Sequence, residues 1–155
     1  AVLLGFSLEL GAILAEASET DRKALREFGT LAGIGFQLKD DLLDVYGDSD
    51  KVGKQVGGDI ISNKKTYLLI SALEGADPSR EKELRHWLNL KKFDDEEKVN
   101  AIRDIYDAMD IRKKTLGLIQ EYFEQALGKL KNVSAPMPRK VALRRFAERL
   151  VDRDH

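Results

Sequence analysis

Apolar positions recur along this chain in steps of three and four, and nowhere in the alternation of two that a half-buried strand requires. The pattern predicts helices throughout. The first runs from the start to about Ala17, and Ser18 to Thr20 interrupt it. A second, long helix runs to about Tyr46 and stops at Gly47, with Asp21 and Glu27 suited to its early turns. Gly47, Gly53, Gly57 and Gly58 then mark a loop too rich in glycine to be helical throughout. A third helix is predicted over Asn63 to about Leu73, opened by Lys64 and Lys65. Asp77-Pro78 starts a fourth, ending near Leu90, with Asp as the cap and Pro in the first turn. Asp94 with Glu97 gives a capping-box-like start to the next. Two helices fill about Asp95 to Met109 and Ile111 to Leu130. Pro136 and Pro138 separate off a last one, about Arg139 to Val151.

The expected fold is therefore all-α, a single helical domain over residues 1–155. That length is enough for a sizeable core. The 26 basic and 27 acidic residues nearly cancel, which argues against nucleic acid as a partner. Cysteine is absent, excluding disulfides and thiolate metal sites and fitting a cytoplasmic protein. Ala1 to Ala17 is the most apolar stretch. It is too short to span a membrane, is broken by Glu9, and lacks the basic start of a signal peptide. Ala1-Val2-Leu3-Leu4 opens in mid apolar run without a capping residue, which reads as a chain cut inside a helix. Asp77 to Lys114 holds ten acidic and ten basic residues, the pattern of a solvated face laced with ion pairs. His86 and Trp87 within it read as a surface histidine and a packing tryptophan.

One stretch departs from this ordinary picture. At about 100° per residue, Thr30, Gly33, Gln37, Asp40, Asp41, Asp44 and Asp48 share one sector of the second helix. Leu31, Ala32, Ile34, Phe36, Leu38, Leu42, Leu43 and Val45 cover the rest, so the helix is expected to be buried on most sides. Asp40 and Asp44 are spaced i, i+4 and Asp41 and Asp44 i, i+3, so their side chains meet across one turn. Like charges at that spacing need a cation between them, or carboxyl groups that hold their protons. An all-oxygen set without His or Cys suits magnesium, which binds through one or two carboxylates, its own waters and substrate phosphates. Lys54 among glycines, and Lys64 with Lys65 beyond them, supply charge of the opposite sign for a phosphate. Asp48 to Asp59 has the length of an EF-hand loop. Val52 stands where a ligand is needed, however, and Asp59 replaces the usual bidentate Glu.

At these residues the chain resembles the trans-isoprenyl diphosphate synthases, or polyprenyl synthetases. The likeness rests on Gly35-Phe36-Gln37-x-x-Asp40-Asp41-x-x-Asp44, then Gly47-Asp48, Gly53-Lys54, Gly57, Asp59, and Lys64 followed by Thr66. It is most specific over Phe28 to Leu69. The resemblance implies the C-terminal portion of an isoprenoid-synthase-type helical bundle. It also implies a prenyltransferase joining isopentenyl diphosphate to an allylic prenyl diphosphate. Asp40, Asp41 and Asp44 form the family's second aspartate-rich motif and would hold Mg2+. Lys54 and Lys64 would contact the allylic diphosphate. Phe36 and Gln37 would line the site near the reacting carbons, with Gln37 steadying the carbocation. A homodimer is a further implication, with the opening helix a candidate for its interface.

The family's first aspartate-rich motif is missing, and no other Asp-Asp-x-x-Asp run exists. The expectation is thus a fragment, about the C-terminal half of a synthase and inactive alone. Two readings stand beside it. One is a non-catalytic partner subunit of a prenyl diphosphate synthase. The other is a related terpene synthase, which the Lys54 loop and Lys64 fit less well. Product length, set in this family mainly near the first motif, is not readable.

Overall fold

The computed structural model describes residues 1–47 and 56–151, and among these every regular element is a helix. In chain order they are α1 (Val2–Leu14), α2 (Glu19–Tyr46), α3 (Gly58–Ile61), α4 (Tyr67–Gly75), α5 (Pro78–Asn89), α6 (Asp95–Ala108), α7 (Ile111–Lys131) and α8 (Met137–Val151). The all-α expectation holds. Lys54, Asp48 and the would-be calcium loop lie outside the described residues.

Side-chain caps set several of the starts. The Asp77 side chain accepts from the N–H groups of Ser79 and Arg80, each at 3.0 Å, and Pro78 occupies the first turn of α5. The Asp94 side chain accepts from the N–H of Glu97 at 2.9 Å. Both satisfy donors that the first helical turn leaves open. Ends are set by left-handed residues. Glu16 (φ 54°) follows α1, which stops at Leu14 and not Ala17, and Asp110 (φ 56°) divides α6 from α7. The largest correction concerns α4. It begins at Tyr67, not Asn63, because Asn63 has φ 53° and Thr66 is the cap, its Oγ1 accepting from the Leu69 N–H at 3.3 Å. Lys64 and Lys65 therefore precede the helix and do not open it. Pro138 belongs to the first turn of α8 and does not merely separate it off.

The chain divides into two compact units, with the divisions falling inside α2 after Lys39 and inside α7 after Leu116. In the first unit, residues 1–39 and 117–153, Phe28, Ala32, Phe123 and Ala126 are buried. Small residues let backbones approach there: a Cβ on Gly29 would lie 2.9 Å from both the Gly5 Cα and the Leu4 carbonyl oxygen. Asp21 ties α2 to the start of the last connection, accepting from the Ser134 N–H at 2.7 Å and from its hydroxyl. These bonds hold its carboxyl below the usual aspartate range.

The second unit is built around α6, against which α3, α4 and α5 pack. Leu68, Leu84, Ile102 and Tyr106 are buried within it, and burial pushes the Tyr106 phenol up. Across its surface the Tyr46 hydroxyl donates to Asp107 at 2.7 Å.

Candidate functional site

The C-terminal turns of α2 carry the carboxylates, and α2 is held there by its apolar flank. Leu42 and Val45 are buried at 5% and 1% exposure. That flank fixes the rotation of the helix, and so the direction of the polar stripe. Asp41 is the most enclosed of the three, at 6% exposure, while Asp40 and Asp44 are half-buried.

The chain returns to this stripe at Gly57. The Gly57 N–H donates to the Asp44 carbonyl at 2.6 Å, and the Asp59 N–H donates to the Asp44 carboxylate at 2.8 Å. Asp44 thus anchors the entry to α3 through both its main chain and its side chain. Gly57 is required at that entry. Its φ is 87°, and a Cβ there would sit 2.5 Å from a methyl of Val99. Burial and the neighbouring Asp59 and Asp41 charges push the Asp44 carboxyl up, against the pull of the Asp59 N–H and Lys64.

Lys64 brings a positive charge to this group. Its Nζ donates to Asp59 at 2.7 Å and to Asp41 at 3.0 Å, and its own N–H donates to the Asp59 carbonyl at 2.9 Å. The hydrogen bond to Asp59 leads the causes that lift its pKa above the usual lysine value. The side chain is still 47% exposed, whereas those of Asp41 and Asp59 are 8% and 18% exposed. Asp59 is the residue that sequence reasoning passed over as a site residue. It was visible only as one member of the ordered motif, and it proves to be the shortest contact of Lys64.

Phe36 and Gln37 lie on α2 in the first unit, Phe36 half-buried and Gln37 exposed. Asp41, Asp44, Asp59 and Lys64 are brought together in the second unit. A cavity of 10 Å³ beside them, lined among others by Asp59, Asn63, Lys64 and Thr66, is about one water in size.

The donors suit a hard cation: all are carboxylate oxygens, and the carboxyl group of Asp44 is already strained toward holding a proton. Among the described residues no three such groups converge tightly enough to cage an ion. Such carboxylates can still share a hard cation singly or in pairs, with waters filling the rest of its shell.

Comparison with known proteins gives this architecture a class, that of the all-helical isoprenyl diphosphate synthases. A solved geranylgeranyl pyrophosphate synthase superposes with a TM-score of 0.88 at 34% identity, over 99% of this chain and 48% of that one. A second such synthase, from Corynebacterium glutamicum and complexed with isoprenyl diphosphate and magnesium, gives 0.84 at 31% identity, over 97% of this chain and 42% of that one. The Polyprenyl synthetase family profile matches residues 1–106, and the chain belongs to that family. Among curated relatives, it is 40% identical over 111 residues to the short chain isoprenyl diphosphate synthase of Methanocaldococcus jannaschii, covering 72% of this chain and 34% of that one. It is 34% identical over 161 aligned positions to the geranylgeranyl pyrophosphate synthase of Geoglobus acetivorans, covering 99% of this chain and 46% of that one. The chain thus spans half or less of the length of these relatives. Among the described residues no helix is long and apolar enough to cross a membrane.

Proposed function

We propose that this chain is the part of a prenyltransferase that grips the allylic diphosphate. The protein would join isopentenyl diphosphate to an allylic prenyl diphosphate, using Mg2+. The observation that carries the reading is Lys64, a half-exposed ammonium set between Asp41 and Asp59 at the end of an acidic stripe.

One or two of Asp40, Asp41 and Asp44 would hold magnesium, with waters and phosphate oxygens completing its shell. Such an ion would supply Lewis-acid neutralisation of the diphosphate charge as the C–O bond breaks. Lys64, always protonated near neutral pH, can turn an N–H to a phosphate oxygen while Asp59 retains another. Lys54 is the second candidate for that contact. In the reaction the allylic C–O bond breaks and its electron pair leaves with the diphosphate. The double bond of isopentenyl diphosphate then attacks the allylic cation, and a proton is lost to give the longer prenyl diphosphate. A fixed ammonium stabilises negative charge as it develops on the leaving oxygen, and does so most effectively when it needs no reorganisation. Phe36 and Gln37, one turn before Asp40 on α2, would line the allylic carbons, with the Gln37 carbonyl oxygen facing developing positive charge. A homodimer and a cytoplasmic location belong to the same reading.

Calorimetric titration of dimethylallyl diphosphate into the chain tests it. Binding that requires magnesium and is lost in Lys64→Ala supports the reading. Binding indifferent to both, or none at millimolar ligand, contradicts it.

A further inference from the structure

Lys98 is the least expected side chain in the molecule. It comes from the first turn of α6, in a stretch crowded with charge, and is fully buried. Two acceptors and an aromatic ring surround its ammonium. Nζ donates to the Asn63 side-chain carbonyl oxygen at 2.6 Å and to the Ile61 main-chain oxygen at 3.2 Å, and it lies 4.1 Å from the centre of the Phe93 ring. Burial pulls its pKa down, opposed by Asp95.

What Lys98 holds is the segment that presents Lys64. Ile61 is the last residue of α3, and its carbonyl is one that a helix end leaves open. Asn63 stands in the left-handed region at φ 53°, a conformation that persists in a residue other than glycine when its surroundings fix it. Its side chain is fixed at both ends, because Nδ2 also donates to the Leu88 carbonyl at 3.1 Å. The next residue is Lys64, whose N–H closes on the Asp59 carbonyl and whose Nζ reaches Asp41 and Asp59. The direction in which the chain leaves Asn63 sets where Lys64 begins.

We propose that Lys98 is a positioning residue for Lys64: by clamping the Ile61 carbonyl and the Asn63 side chain it fixes the turn that aims the Lys64 ammonium along the acidic stripe. Its functional weight rests on the reading of Lys64 as a diphosphate contact. The geometry of the clamp does not.

Lys98→Met keeps the apolar stem and removes the charge and both hydrogen bonds. The test is hydrogen exchange with NMR on the 155-residue chain, reading the Lys64 amide against the core amides of Ile102 and Ile105. The expected result is a loss of protection at Lys64 about tenfold beyond any loss at the core. The Lys64 ammonium cross-peak, visible while Asp41 and Asp59 hold its protons, is expected to vanish. If Lys98→Met does not fold, Asn63→Gly is decisive. It keeps Lys98 and the left-handed turn but removes the side-chain anchor, and the same local loss is expected. Unchanged protection and an intact ammonium signal at Lys64, in whichever variant folds, overturn the proposal. The diphosphate titration fails separately: a wild-type chain that binds no diphosphate removes the functional reading while the exchange data still decide the clamp.

Discussion

Replacing Lys64 by Met removes an ammonium that both Asp41 and Asp59 grip, beside a third carboxylate, Asp44, whose pKa is already raised. Exposed ion pairs contribute about 0.2–1 kcal/mol each. Removing one member of a fully buried pair costs about 3–5 kcal/mol. Lys64 lies between these limits, with an ammonium side chain 47% exposed and an Asp41 side chain only 8% exposed. Water can reach the vacated oxygens in part, so the expected loss is about 1–2 kcal/mol. Asp41→Asn in the same chain removes one of the two carboxylates that hold Lys64, and a double-mutant cycle should return a coupling of about 0.5–1.5 kcal/mol. Urea unfolding at low salt measures both, and added salt should shrink the coupling. The pH dependence has a definite sign. The pKa of Lys64 is raised above its ordinary 10.5 in the folded chain. Its contribution is therefore complete below that value and lost as pH climbs through the higher folded value. Magnesium at ten times its dissociation constant should restore about 1.4 kcal/mol to Lys64→Met by mass action, more than it gives the wild type. A Lys64→Met chain as stable as wild type, with no coupling to Asp41, would refute the argument that this lysine neutralises the stripe.

Further outcomes follow from single residues. Gly57→Ala should cost about 1–3 kcal/mol, from its positive φ and the Val99 methyls in its way. Gly117→Ala, in a helix interior with nothing within 4 Å, should gain about 0.5–1 kcal/mol, so thermal midpoints should move in opposite directions. Asp21 has its carboxyl pKa lowered by Ser134, so its contribution is present above the ordinary 3.8 and lost as pH falls through the lower folded value. Asp21→Asn should flatten the acid limb of stability against pH, measured by urea midpoints between about pH 5 and 2. Asp94→Ala removes the α6 cap and should cost about 1 kcal/mol. The chain carries one Asp-Asp-x-x-Asp run and spans half or less of its relatives, so no prenyl product is expected from it alone. Product in a radiolabelled isopentenyl diphosphate assay would contradict that.

The sequence was legible wherever local chemistry decides structure. Asp77-Pro78 and Asp94 cap helices where their spacing says they should, and α2 keeps its polar stripe because Leu42 and Val45 fix its rotation. It was misleading where a distant residue decides. The pattern carried a helix back through Lys64 to Asn63, but a left-handed Asn63 held from α6 and α5 stops it there. Lys98 itself was one of ten basic residues in a stretch that reads as solvated. No charge pattern marks it as the one that folds under Phe93 and Asn63. The candidate site was half legible. The residue types and spacing of Asp40, Asp41, Asp44 and Lys64 were plain, whereas the pairing of Lys64 with Asp59 depends on the turn at Gly57, set by packing on Val99.

The central claim is that the acidic stripe and Lys64 together receive a metal–diphosphate. The most direct measurement is a crystal structure of the chain soaked with manganese and dimethylallyl diphosphate, with the metal located by its anomalous signal. Manganese is expected on one or two of Asp40, Asp41 and Asp44, with a diphosphate oxygen within hydrogen-bond reach of the Lys64 Nζ. Manganese elsewhere, or a diphosphate that leaves Lys64 untouched on Asp41 and Asp59, would contradict it.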